Sequence, residues 1–274
     1  MAKSFAVTVP LRRVWVWALA AGVYSALVVL VDEAVGSRVP DIPAGIDAGL
    51  AFAITLIVVF RVNRAYERWW EARTLWGKLV NVSRNLAVKA RELHELDEAE
   101  RSRVRDLIVA FCYGLKDHLR NQPDVTVLPG FEETKRPPKH LPSFVVRHIY
   151  AEFASWRSQG RLTDGQLWVL DSEARELLEV AGACERIKNT LMSVSWRRFV
   201  QHCVIAYLLV LPWGLDDDFG WFAVPISMLL AYFVVAGEGI AQYVEEPFGV
   251  EEDHVDLEGI CTGIEASVSE VLLD

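Results

Sequence analysis

Four stretches of this chain are apolar enough, and long enough as helices, to cross a lipid bilayer, and that pattern constrains the fold before any single residue does. Val14 to Val31 carries no charged residue. At about 1.5 Å per residue, a helix over it nearly spans a hydrocarbon core of roughly 30 Å. Ile42 to Phe60 is long enough for a second crossing, but Pro43, Gly45, Asp47 and Gly49 make its start too polar to face open lipid. Phe199 to Leu215 is a third, interrupted by Gln201 and His202, and Phe219 to Gly237 is an uncharged fourth, set off from the third by Asp216, Asp217 and Asp218. The 52% share of hydrophobic residues exceeds what a soluble protein with 24% charged residues ordinarily carries.

Orientation follows from the basic residues, since Lys and Arg close to a crossing stay on the cytoplasmic side. Arg12 and Arg13 precede the first stretch and Arg197 and Arg198 the third. The segment after the second, Arg61 to Arg91, holds eight Lys and Arg against two acids, Glu67 and Glu71, whereas the two short interhelical connections are acidic. Both termini and the middle of the chain are therefore expected in the cytoplasm, with the protein in the inner membrane. Lys3, Arg12 and Arg13 ahead of Ala18-Leu19-Ala20 imitate a secretion signal. The apolar region before that tripeptide is too short for a cleaved signal, and the run continues to Val31, so an uncleaved helix is expected.

Between the two hairpins the pattern turns amphipathic. From Glu98 to Arg120, Val104, Leu107, Ile108, Phe111, Cys112, Leu115 and Leu119 recur at helical spacing, the stripe of a helix with one buried face. Asn121 to Pro142 holds five prolines and reads as a surface loop. Two more helices are expected near 143–158 and 164–191, the latter opening with Thr163 or Asp164 as N-cap. The chain thus divides into an N-terminal segment and first hairpin (1–60), a cytoplasmic helical region (61–197), a second hairpin (198–243) and an acidic tail (244–274). The expected fold is all-α: four transmembrane helices and a cytoplasmic helical bundle.

Several functions are excluded or disfavoured. A net charge of −9 does not suit a nucleic-acid partner. Cys112, Cys184, Cys203 and Cys261 form no C-x-x-C pair and read as reduced, mostly buried thiols. His94, His118, His140, His148, His202 and His254 make no H-x-x-x-H or H-E-x-x-H arrangement, and no nucleophile elbow, P-loop or dinucleotide fingerprint appears. No enzyme activity and no cofactor are expected.

The densest motif is Phe60-Arg61-Val62-Asn63-Arg64-Ala65-Tyr66-Glu67-Arg68-Trp69-Trp70-Glu71-Ala72-Arg73, followed by Leu75-Trp76-Gly77-Lys78. By itself it fits an interfacial belt of tryptophans and snorkelling arginines. Its residues also resemble the signature that follows the second membrane helix of bestrophin-family channels. Gly182-Ala183-Cys184-Glu185-Arg186-Ile187 and Glu246-Pro247-Phe248-Gly249 are similar to two further family blocks, in the family's order. The resemblance implies a homopentamer with an axial pore lined by the second membrane helix.

Phe52, Leu56 and Phe60 fall at i, i+4 and i+8 and so share one helix face. Spacing alone fits ordinary packing or lipid contact. With the resemblance, fivefold symmetry makes them three apolar rings, a hydrophobic neck that gates by dewetting. The family's cytoplasmic aperture lies in a T-P-x-P-like segment, here Thr190-Leu191-Met192-Ser193, with both prolines absent and Met192 as a soft aperture residue. Asp32, Glu33, Asp216, Asp217 and Asp218, with Asp41 and Asp47, would form an acidic outer mouth that concentrates cations. The tail holds ten acidic residues and no Lys or Arg. Glu251, Glu252, Asp253 and Asp256 are its calcium candidates. His254 stands where a liganding acid is expected, so a solvated acidic face, or docking on the basic Arg61 to Arg91 helix, is the favoured reading, with no bound metal. The expected function is passage of small monovalent ions: chloride or other anions as in eukaryotic members, or monovalent cations as in some bacterial ones. The expected partners are its own copies and the bilayer. A non-conducting membrane scaffold or regulatory protein is the alternative.

Overall fold

The computed structural model describes residues 9–35, 44–93, 95–134 and 138–274, with side chains described from Val14 and from Ile46 in the first two segments and for all but Asp216 and Asp217 in the last. Of the described residues 84% are helical and none lies in a strand. Among the described residues, eight α-helices run α1 (Val9–Val35), α2 (Ala44–Leu93), α3 (Glu98–Leu119), α4 (Leu141–Ser158), α5 (Asp164–Asn189), α6 (Val194–Phe219), α7 (Ala223–Val244) and α8 (Leu257–Leu273). Four of them, α1, α2, α6 and α7, are long and apolar enough to cross a membrane. Lys3, Asp41, Ile42, Pro43 and His94, together with the side chains of Arg12, Arg13, Asp216 and Asp217, lie outside the described residues.

Two compact units form. One holds the chain up to Arg68 and from Leu191 to Glu245, the other Trp69–Thr190 and Glu246–Asp274. The four segments read from the sequence are thereby gathered into two, the acidic tail joining the middle of the chain.

In the first unit α1 packs chiefly on α7. Small residues let the backbones approach: Ser25 and Ser227 are both fully buried with hydroxyl oxygens 3.4 Å apart. A Cβ on Gly22 would lie 2.5 Å from Met228 Cγ. On the other side, Ile54 of α2 is buried with Val200, Val204, Tyr207 and Leu211 of α6. Pro212 stands inside α6 and brings no N–H to the helix ladder. Nearby, the Tyr24 hydroxyl donates to the Leu209 carbonyl at 3.0 Å and accepts from Trp213 Nε1 at 2.9 Å. The third crossing extends beyond its expected end at Leu215: α6 continues through Asp216, Asp217 and Asp218, so these residues close a helix instead of forming a loop. Likewise Asp32 and Glu33 belong to the end of α1.

The second unit has a closed apolar core. Of the α3 stripe, Val104, Ile108, Phe111, Cys112, Leu115 and Leu119 are buried, and Leu107 packs against the core. Asp97 caps α3 in a capping box with Glu100; the Glu100 carboxylate also accepts two hydrogen bonds from Arg161, at 2.6 and 2.8 Å. Thr163 is the N-cap of α5, boxed with Gln166. Each cap satisfies N–H groups that a helix start leaves without partners. The proline-rich connection contains one 3-10 turn, Val125–Val127, and α4 takes Pro142 into its first turn, where a missing N–H costs nothing.

The tail is more ordered than its charge suggested. Leu257, Cys261, Ile264, Val268 and Leu272 follow helical spacing and are buried. α8 lays this stripe chiefly on α3, where the expectation of docking on the basic helix had looked to α2. Arg105 pairs with Glu265 at 2.6 Å and Lys116 with Glu258 at 2.7 Å. The basic stretch of α2 contributes two bonds, from Trp69 Nε1 to the Asp253 carbonyl at 3.1 Å and from Arg91 to the Val271 carbonyl. The tail is rich in acids, but its apolar residues keep the period that decides packing.

Candidate functional site

In the first unit α2 presents two unlike faces. Ile54 is 3% exposed, and Arg61 and Ala65 are buried on the same side. Phe52, Leu56 and Phe60 stand 66%, 40% and 62% exposed on the other. A rise of about 1.5 Å per residue spaces these three roughly 6 Å apart along the helix. The sequence-expected neck residues thus stand in one row that nothing among the described residues closes over.

Behind that row lies a charged cluster that sequence reading did not assemble. The Arg61 guanidinium, fully buried, donates from Nη2 to Glu245 Oε2 at 2.6 Å and approaches Glu238 Oε2 with Nε at 3.5 Å. Glu245 is otherwise well partnered: its Oε1 accepts from the Met192 amide at 2.9 Å, and its carbonyl from Arg68 Nε at 3.1 Å. Glu238 receives no hydrogen bond at either oxygen. One guanidinium therefore faces two carboxylates in a region largely shut off from water, where each ion depends on its partner. Three of these groups were visible as charges beside apolar runs; their meeting was not. Glu245, just before the third family block, is the buried acid, while Glu246 within that block is exposed.

The Met192 amide bond to Glu245 fixes the segment between α5 and α6. Thr190 to Ser193 is non-helical even without prolines, and the Ser193 hydroxyl accepts from the Trp196 amide at 3.2 Å to cap α6. Met192 is half-buried, with Leu191 exposed beside it. Of the expected acidic mouth, Asp32 is half-buried, Glu33 and Asp218 are exposed, and Glu33 accepts from Trp221 Nε1 at 3.0 Å. Asp47 packs against Gly214, where a Cβ would lie 3.1 Å from its Cγ, and its Oδ1 is buried without a hydrogen bond. A cavity of about 570 Å³ between α1, α6 and α7 is walled mainly by apolar side chains such as Trp17 and Leu208, with Glu238 and Gln242 at its polar edge.

Of the calcium candidates, one has a structural role. Asp256 caps α8 by accepting from the Gly259 amide at 2.9 Å, and Glu251 and Glu252 are exposed. His254 Nδ1 accepts from the Glu251 amide at 2.9 Å. Its ring fills the space beside Gly249, where a Cβ would lie 2.2 Å from His254 Cε1. Arg120 donates to the carbonyls of Phe248 and Gly249 at 3.4 and 3.1 Å. The Pro-Phe-Gly block is therefore a structural turn. Among the described residues, the metal-type grouping is elsewhere, at His118, His140 and Glu185. All four cysteines are free. Burial pushes the thiols of Cys112 and Cys184 up to about 12 and raises that of Cys261. Such thiols are poor nucleophiles.

Comparison with known proteins accounts for nearly the whole chain. A family model described as Bacterial/Fungal Bestrophin protein matches residues 6–270. A protein from Nostoc named a voltage-dependent anion channel-forming protein is 27% identical over 249 residues, 86% of this chain and 76% of its own. A Salmonella typhi protein of the same designation is 31% identical over 224 residues, 79% of this chain and 72% of its own. Among solved structures, a point variant of a bacterial bestrophin homologue from Klebsiella pneumoniae superposes with a TM-score of 0.88 at 22% identity, covering 96% of this chain and all of that one.

Proposed function

This chain belongs to the bacterial and fungal bestrophin family, and from that premise we propose that it is one subunit of a homopentameric ion channel, with both termini and the helical unit of Trp69–Thr190 on the cytoplasmic side of the inner membrane. The observation that carries this reading is the uncovered row of Phe52, Leu56 and Phe60 on a helix whose opposite face is buried. Around a fivefold axis the row becomes three apolar rings. A constriction of that kind holds water weakly and admits small ions without binding them tightly, which conduction requires. Met192, tied to Glu245, supplies a second ring at the cytoplasmic exit.

The sign of the ion is set by two opposed features. The positive edges of the Phe52 and Phe60 rings favour a desolvated anion, in keeping with relatives named as anion channel-forming proteins. Acids at the non-cytoplasmic ends of the helices, Asp32, Glu33 and Asp218, favour cations by raising their local concentration, and support monovalent cations as the second reading. In a planar bilayer under a KCl gradient, a reversal potential near the chloride equilibrium value assigns anions; one near the potassium value assigns cations.

The channel itself is tested by exchanging Phe52, Leu56 and Phe60 together for alanine, which should raise single-channel conductance while the assembly retains a mass of five chains in detergent. Unchanged conductance in an intact pentamer removes the neck. A monomer or dimer, or proteoliposomes that keep a trapped salt gradient, removes the pore and favours a non-conducting scaffold.

A further inference from the structure

At one edge of the second unit, three side chains that no sequence pattern links converge from three helices. His118 comes from the end of α3, His140 is the N-cap of α4, and Glu185 lies in the penultimate turn of α5. His118 Nε2 and His140 Nε2 lie 2.8 and 2.6 Å from the same carboxylate oxygen, Glu185 Oε1. The two rings meet edge to face with centroids 5.0 Å apart. One ligand atom from each residue falls within 4.8 Å of the others. The side chains are 21%, 40% and 25% exposed, which leaves a path from solvent.

We propose that His118, His140 and Glu185 form a binding site for one divalent transition-metal ion of the zinc class. Two imidazole nitrogens and one carboxylate oxygen are a donor set that zinc accepts with a water as fourth ligand. They do not suit calcium or magnesium, which take oxygen. Zinc-to-ligand bonds of about 2.0–2.1 Å put tetrahedral ligand atoms roughly 3.3 Å apart. The two separations from Glu185, 2.6 and 2.8 Å, must open slightly, while the ring nitrogens, within 4.8 Å of one another, draw together, both within reach of partly exposed side chains.

Two neighbouring contacts shape the site. His140 Nδ1 accepts from the Ser143 amide at 3.1 Å, which places the ring proton on Nε2, facing Glu185. Metal at Nε2 displaces that proton and, if it moves to Nδ1, releases the cap, so binding is coupled to the start of α4. Lys188 holds its ammonium on the His118 carbonyl at 3.0 Å and on Asn121 Oδ1 at 2.6 Å; its charge opposes a cation nearby, while the Glu185 carboxylate, in direct contact, favours it. A bound ion would pin the ends of α3 and α5 to the beginning of α4 and stabilise this unit by mass action. Nothing in this site depends on ion conduction.

The test uses purified full-length protein in detergent, stripped with a chelator and equilibrated with micromolar zinc before gel filtration. Elemental analysis should give one zinc per chain, and the thermal midpoint should rise with zinc but not with magnesium or calcium. His118→Gln should lose stoichiometric zinc and the zinc-dependent rise, with at least tenfold weaker affinity. His140→Asn keeps a good N-cap residue and should do the same without lowering the metal-free midpoint. Zinc retained equally by both variants at unchanged helicity assigns it to other histidines and overturns the site, as does wild type that retains none. Should a variant misfold, the wild-type protein loaded with cobalt decides: intense visible bands of a four-coordinate site support the proposal, and the pale spectrum of the aqueous ion overturns it.

Discussion

Side chains of the same kind meet opposite fates in the two units. In the second, Trp76, Phe111 and Trp156 are at most 1% exposed, whereas in the first Trp15, Trp17, Phe52, Phe60 and Phe233 are 50–66% exposed. The charges differ in parallel. Glu100 in the second unit is matched by Arg161 and by its helix cap, while in the first a single buried Arg61 faces both Glu238 and Glu245. The second unit buries a continuous apolar core within one chain, with Trp70 and Trp168 left outside it. The first leaves apolar faces open, and that incompleteness agrees with the pore-forming subunit proposed above.

Substitutions of equal size should separate the two regions. Phe111→Ala should cost about 3–5 kcal/mol of stability, the usual range for emptying a buried aromatic site. Phe52→Ala should change stability by less than about 0.5 kcal/mol, as for an uncovered side chain, and register in conductance instead. Denaturation followed by circular dichroism compares them; equal losses would mean that the Phe52 face is packed. The charged cluster gives the next contrast. Arg61→Met strands two buried carboxylates and should cost about 3–5 kcal/mol. Lys78→Met, which breaks a half-exposed pair with Glu176, should cost about 0–1 kcal/mol. Asp97→Ala, which opens the capping box of α3, should lower stability by about 1 kcal/mol. The smallest effect is chemical: in the folded protein at pH 8, a maleimide should leave Cys112 and Cys184 unlabelled, because both are buried with thiols pushed up to about 12. Labelling at rates seen in denaturant would break the picture of a closed second unit.

The parts legible in advance were those written within one helix. The crossings, the α3 stripe and the Thr163 cap each rest on residues a few positions apart, and Phe52, Leu56 and Phe60 share a face because four residues make nearly one turn. The ends of α1 and α6 ran past their expected limits because acidic residues stop a hydropathy run without stopping a helix. The α8 stripe was obscured in the same way, by the acidic run that precedes it and by Glu258, Glu265 and Glu270 set within its apolar period.

The sequence by itself determined the four membrane helices, the amphipathic middle and the family, since hydrophobic burial is summed over neighbouring residues and motif blocks are local. Only the tertiary structure decided which polar groups meet. Arg61 and Glu245 are 184 residues apart, His118 and Glu185 are 67 apart, and His140 and Glu185 are 45 apart. No periodicity connects such positions. Packing of separate helices brings them within hydrogen-bond distance, and at that range a carboxylate becomes the partner of a buried guanidinium or of two imidazoles.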